Sequence, residues 1–117
     1  MAEVLVAHDS PFLRSLLRSV VEIEHDIVGE GKNGVEAVES SRSLDPDVVI
    51  LAVSMPIQDG IDAAATIRDR EPSVGIVLCL DADGDHRPEA TVEADEVLTV
   101  PFRRSGVLEA VARSACA

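Results

Sequence analysis

The sequence predicts an α/β domain built on a parallel β-sheet with helices on both faces. Short apolar segments alternate with helical patterns five times along 117 residues. Such alternation is typical of parallel strands joined by right-handed crossovers. The apolar segments lack the alternating polarity of a half-exposed strand, which indicates burial on both faces. The length suits one domain and is too short for two, so we expect a single domain over residues 1–117.

Local signals place the individual elements. The first helix begins at Ser10-Pro11, because serine is a preferred N-cap and proline is preferred at the first helical position. Asp59 is expected to cap the third helix, which ends before Pro72 because proline cannot continue a helix. From residue 81 to 93 the signal is weak, with at best a short helix at 88–94. The predicted strands are 4–7, 27–28, 48–51, 75–80 and 96–100, and the other helices are 11–23, 35–43, 60–70 and 105–114.

Helical spacing also predicts which side chains face the core. The arrangement that fits these elements is a three-layer, doubly wound domain of the flavodoxin-like type, with strand order 2-1-3-4-5. The residues expected to face the core are Leu13, Leu16, Leu17, Val20 and Val21 in the first helix, Ile61, Ala64, Ala65 and Ile67 or Arg68 in the third, and Val107, Leu108, Val111, Ala112 and Ala115 in the last.

The charge balance excludes some classes of partner. The chain has 22 acidic and 10 basic residues, a net charge of −12, and Lys32 as its single lysine. This argues against binding to nucleic acid or to an anionic membrane, both of which need clustered bases. An acidic surface with almost no lysine suits a halophilic source, although an acidic domain of an ordinary cytosolic protein is the alternative. No apolar run approaches the ~20 residues of a membrane span, and no basic signal sequence precedes the first strand, so we expect a cytoplasmic protein.

Several motifs at their observed spacings make the chain resemble a response-regulator receiver domain over essentially its whole length. They are VLVAHDSPFLR at 4–14, VGEGKNGVEAV at 28–38, DVVILAVSMPIQDGI at 47–61, IVLCL at 76–80 and EVLTVPF at 96–102. The opening motif looks nearest to the chemotaxis-type, single-domain receivers of archaea. The resemblance implies a two-component signalling module with protein partners and no enzymatic activity of its own.

The resemblance also implies a phosphorylation site, in which most positions have changed here. Receivers accept a phosphoryl group on an aspartate at the end of strand three, and Ala52 stands at that position. A pair of acids after strand one holds Mg²⁺, and His8 replaces the first while Asp9 keeps the second. The positions that bind the phosphoryl oxygens, a Ser or Thr and a Lys, carry Leu80 and Val100.

These changes predict a pseudo-receiver, which is not phosphorylated at residue 52. The aromatic position on strand five that reports activation carries Val97. We expect no cofactor, with Mg²⁺ binding weak or absent, because Asp9 alone is a poor site. His8 and Asp9 could otherwise form a transition-metal site, although two ligands are few and a half-exposed histidine beside a capping aspartate is the simpler interpretation.

Two other functions stay open. One is a phosphorelay receiver that uses an unrecognised acceptor, with Asp9 or Ser54 as the nearby candidates. The other is a small-molecule binder in the altered pocket, although no glycine-rich phosphate loop supports it.

The function is expected to reside on the face that receivers use for output and dimerisation. This face is formed by strand five with its flanking fourth and fifth helices, at about residues 82–116, and would bind a protein partner or a second copy of the chain. Arg103-Arg104 is an adjacent basic pair that could bind a partner's carboxylate, or could simply be solvated. The candidate contacts are Phe102, Arg103, Arg104, Val107 and Glu109.

Overall fold

A computed structural model describes residues 2–81, 94–100 and 102–115. The strands are β1 Glu3–Ala7, β2 Asp26–Gly31, β3 Val48–Ala52, β4 Gly75–Asp81 and β5 Glu96–Val100. The helices are α1 Pro11–Val21, α2 Gly34–Leu44, α3 Gly60–Arg70 and α4 Arg104–Ala115. All strand pairs are parallel, in the order β2-β1-β3-β4-β5, which confirms the predicted topology. Residues 88–93 of the helix predicted at 88–94 lie outside the described residues, and Ala94 is not helical.

Two apolar layers cover the two faces of the sheet. Along β1 the side chains alternate, so Leu5 belongs to the layer under α2 and α3 while Val4 and Val6 belong to the layer under α1 and α4. Every residue of β3 is buried, as expected for a strand in the middle of a parallel sheet. The prediction of helices on both faces is therefore confirmed.

The predicted helix faces need correction at four positions. Leu16 in α1, Ala65 in α3, and Ala112 and Ala115 in α4 are exposed. The residues buried in α3 and α4 include Ala63, Ala110 and Ser114, which the spacing argument missed. These helices have more apolar residues than the sheet can cover. Helical periodicity alone therefore does not predict which of the adjacent apolar positions around the helix contact the sheet.

The helix starts follow the predicted capping chemistry. The Ser10 side chain accepts a hydrogen bond from the Leu13 backbone N–H at 3.2 Å, and Asp59 Oδ1 accepts one from Asp62 N–H at 2.9 Å. Both predicted caps are thus confirmed. Each satisfies a backbone donor that the first helical turn leaves without a partner. In the described residues, no helix has the length and apolarity needed to cross a membrane.

The carboxylate of Asp95 joins three elements just before β5. Its Oδ2 accepts hydrogen bonds from the Ile76 backbone N–H and from the Arg68 guanidinium, both at 2.8 Å. Arg68 lies in α3 and Ile76 in β4, so this group fixes the start of β5 beside the rest of the sheet.

Candidate functional site

The carboxyl edge of the sheet holds the candidate site. Because the strands are parallel, the loops after β1 and β3 meet at this edge. Together they form an open cleft of about 450 Å³. The residues that line it are Asp9, Val53, Ser54, Met55, Pro56 and Asp59.

The end of β3 under this cleft is apolar. Ala52 is 3% exposed and Leu80 is 6% exposed, and both belong to the layer under α2 and α3. Val53 and Met55 continue the same layer. Val100 ends β5 and pairs in register with Asp81 of β4. The strand end therefore presents a methyl group within an apolar layer, where the resemblance to receivers would place a carboxylate.

His8 is part of the loop structure after β1. Its backbone N–H donates to Gly31 O at 3.0 Å, and its carbonyl accepts from the Arg14 guanidinium at 2.8 Å. Its Nδ1 accepts from the Ser10 backbone N–H at 3.1 Å, although Asp9 Oδ1 is also near at 3.3 Å. A backbone N–H can only donate, so Nδ1 carries the lone pair and is not available to donate to Asp9. The expectation of a half-exposed His8 was wrong, because the residue is buried.

The two carboxylates at the cleft have different roles. Asp59 is engaged as the cap of α3. Asp9 was expected to act as a cap, but Ser10 caps α1, and the Asp9 carboxylate lies half exposed in the cleft. Ser54 is exposed at the cleft wall.

Two carboxylates, Asp9 and Asp59, are the side-chain oxygen donors that this cleft could offer to Mg²⁺. Mg²⁺ takes oxygen ligands, usually one or two carboxylates together with phosphate and water. Asp59 already accepts from a backbone donor, and the Nδ1 atom of His8 is occupied by Ser10. Within the described part of the chain, no group of three or more His, Cys, Asp or Glu side chains is placed to hold a metal.

The loop from β3 to α3 is held tightly on both sides. Gly60 N–H donates to Val53 O at 2.8 Å, and Gly34 N–H at the start of α2 donates to Gln58 O at 2.9 Å. Between them, Gln58 N–H donates to Pro56 O at 2.7 Å and closes a γ-turn around Ile57, whose φ is 70°. A β-branched residue is rare in this conformation. No signal in the sequence predicts this turn.

The candidate interaction face needs one correction. Arg103, Arg104 and Glu109 are exposed, and Phe102 is half buried against the layer under α1 and α4. Val107 is 0% exposed in that layer, so its proposed role as a surface contact was wrong. The helical spacing that also placed Val107 in the core was the better guide. Val97 on β5 is partly exposed.

Comparison with known proteins identifies the family. The chain matches the response regulator receiver domain over residues 4–112, and it belongs to that family. It is 38% identical over 111 residues to the chemotaxis protein CheY of Halobacterium salinarum, covering 93% of this chain and 92% of that protein. It is also 30% identical to CheY of Listeria monocytogenes, covering 98% of this chain and 99% of the relative.

Solved structures agree with this assignment. The response regulator domain of CheB from Thermotoga maritima superimposes with a TM-score of 0.88 at 26% identity, covering 98% of this chain and 96% of that one. The receiver domain of AraT from Geobacillus stearothermophilus gives a TM-score of 0.88 at 25% identity, covering 97% and 92%. The chain is thus a receiver domain similar to single-domain chemotaxis receivers.

Proposed function

We propose that this receiver domain signals by protein contact and does not accept a phosphoryl group at the end of β3. The observation that supports this most directly is the burial of Ala52 in an apolar layer together with Leu80. An alanine methyl group has no nucleophilic atom, so residue 52 cannot form an acyl phosphate.

The surrounding positions support the same proposal. Phosphoryl transfer depends on cations and hydrogen-bond donors that balance the charge on the phosphoryl oxygens. Leu80 has no hydroxyl group and Val100 has no charge. A carboxylate buried without a partner in the apolar layer around Ala52 would cost several kcal/mol, so the apolar side chains of this layer stabilise an edge that no longer binds a phosphoryl group.

The output of the domain is then binding, through the side of α4 next to β5. We assign the contacts to Phe102, Arg103, Arg104 and Glu109, with Val97 at the neighbouring strand. The relatives named as chemotaxis proteins suggest a chemotaxis-type or other two-component pathway in the cytoplasm. The ligand of this face is a protein, either a pathway component or a second copy of the chain.

Incubation with acetyl phosphate and Mg²⁺ tests the proposal. We expect intact-mass spectrometry to show no phosphorylated species, while a receiver domain that carries the acceptor aspartate becomes labelled under the same conditions. Labelling that peptide mapping places on Asp9 or Ser54 would contradict the proposal and favour a receiver with an unusual acceptor.

We also propose that the protein works in concentrated salt. With a net charge of −12, the folded chain repels itself at low ionic strength. At about 1 M salt the Debye length falls to about 3 Å, so this repulsion is screened. The thermal midpoint measured by circular dichroism is therefore expected to rise from low to molar KCl. A midpoint that stays constant or falls would contradict the proposal, and a receiver domain of near-neutral charge provides the control.

A further inference from the structure

The outer surface of α1 carries an unusual row of exposed apolar side chains. Phe12 is 73% exposed, Leu16 is 39% exposed, and Ile23, just after the helix, is 55% exposed. Residues 12, 16 and 23 share one side of a helix, because successive residues are rotated by about 100°. Ser19, at the same side, is also exposed and uncharged. This row therefore forms a continuous uncharged strip along the helix.

Ion pairs show which way the strip faces. Arg14 and Arg18 both reach Glu30 of β2, so they mark the side of α1 that is turned toward β2. Phe12 precedes Arg14 by two residues, and Leu16 precedes Arg18 by two. Residues two positions apart are separated by about 200° around a helix, so Phe12 and Leu16 point away from the arginines. The strip is consequently on the other side of α1, toward α4, which packs beside it.

The neighbouring side of α4 is apolar as well. Arg113 pairs with Glu96 and marks the side of α4 turned toward β5. Leu108 and Ala115 are seven residues apart on the other side of the helix, and Ala112 lies between them. Ala112 and Ala115 are exposed, and Leu108 is half buried. We name Phe12, Leu16, Ile23, Leu108, Ala112 and Ala115 the α1–α4 patch.

The two ends of this patch carry opposite charges. In this fold α1 and α4 both begin at the carboxyl edge of the sheet and run in the same direction. Arg103 and Arg104 are exposed at the beginning of α4, and Glu22 and Glu24 are exposed at the far end of α1. Arg18 pairs with Glu22 at 3.4 Å within the helix, so Glu24 supplies the acidic charge of this end. A contiguous apolar surface on a monomer usually marks a binding site. A partner that binds the α1–α4 patch must therefore also present an acidic group to its basic end and a basic group to its acidic end.

We propose that a second copy of this chain occupies the α1–α4 patch, in an antiparallel arrangement about a two-fold axis that crosses the helices. This symmetry places Arg103 and Arg104 of each copy against Glu24 of the other. A two-fold axis parallel to the helices would instead place like charges against each other. A two-fold contact joins the same patch on both copies. The patch itself contains no acid, which allows two chains of net charge −12 to approach there. This contact is separate from the β5 side of α4 and does not depend on the chemistry of residue 52.

Sedimentation equilibrium in molar KCl tests the association, because high salt screens the net repulsion and leaves the apolar contact. The wild type is expected to shift from monomer to dimer mass over about a hundredfold range of concentration. Ala112→Glu is expected to weaken the dimer at least about tenfold, since it places an unpaired charge in the contact. Ala65→Glu, the same change at an exposed position of α3, is the matched control and should leave dimerisation unchanged.

Charge exchange at physiological ionic strength tests the orientation. Arg104→Glu and Glu24→Arg are each expected to weaken self-association relative to the wild type, because each turns both opposite-charge contacts of the antiparallel dimer into like-charge contacts. An equimolar mixture of the two variants is expected to recover the wild-type affinity, since its mixed dimer again pairs opposite charges at both ends. A parallel dimer would behave differently: neither variant alone would be weaker than the wild type, and the mixture would associate more tightly than the wild type. A mixture no tighter than its components would overturn the antiparallel arrangement. A wild type that stays monomeric in molar KCl, or an equal effect of Ala65→Glu, would overturn the proposal and leave the patch to a partner of another sequence.

Discussion

Ala52→Asp alone is expected to react with acetyl phosphate at least about 100-fold more slowly than a variant that also carries Leu80→Thr and Val100→Lys. The new carboxylate would enter the apolar layer that contains Leu80, where burial disfavours its charged form. It would also lack the hydroxyl and ammonium groups that balance the phosphoryl charge. The rate of mass gain by intact-protein mass spectrometry, with Mg²⁺ present, measures the difference.

Ala52→Asn is the control for this comparison, because it places a polar group of similar size at the same position without a nucleophilic carboxylate. We expect it to remain unlabelled and to lose about as much stability as Ala52→Asp. Rapid labelling of the single Ala52→Asp variant would show that Asp9 and the remaining edge suffice for phosphoryl transfer. That result would contradict the proposed contribution of Leu80 and Val100.

Gly60→Ala is expected to lower the free energy of unfolding by about 3 kcal/mol or more. A Cβ atom at this position would lie 2.0 Å from Ala52 O and 3.0 Å from Val53 Cα. Both neighbours are backbone atoms at the end of β3, so neither can move without disturbing the sheet or the hydrogen bond from Gly60 N–H to Val53 O. Urea unfolding followed by circular dichroism measures the loss.

Gly106→Ala provides a control with the same chemical change and the opposite expected sign. Gly106 lies in α4, and a Cβ atom there would have no neighbour within 4 Å. The substitution is expected to stabilise the protein by about 0.4–1 kcal/mol, since alanine restricts the unfolded chain more than glycine does. Equal effects of the two substitutions would show that helix propensity, and not the close contact at Gly60, determines the result.

The sequence by itself determined the architecture. Apolar segments such as Val48–Leu51 specify buried strands, and their alternation with helices specifies a parallel sheet with helices on both faces. Local capping chemistry was equally readable, because Ser10 and Asp59 act on backbone groups three residues away. The motifs from residue 4 to 102 also led to the receiver family. All these features depend on short-range patterns along the chain.

Only the tertiary structure decided which side of each helix faces the sheet. Leu16 and Ala112 have helical spacing that suits the core, yet both are exposed, while Val107 is fully buried and unavailable as a contact. When the apolar side of a helix is wider than the part that the sheet can bury, the sequence allows more than one rotation of the helix about its axis. The packing of α1 against α4 selects one of these rotations. The γ-turn at Ile57 likewise depends on α2, whose Gly34 binds the adjacent carbonyl. Such contacts join residues distant in sequence, and no local pattern encodes them.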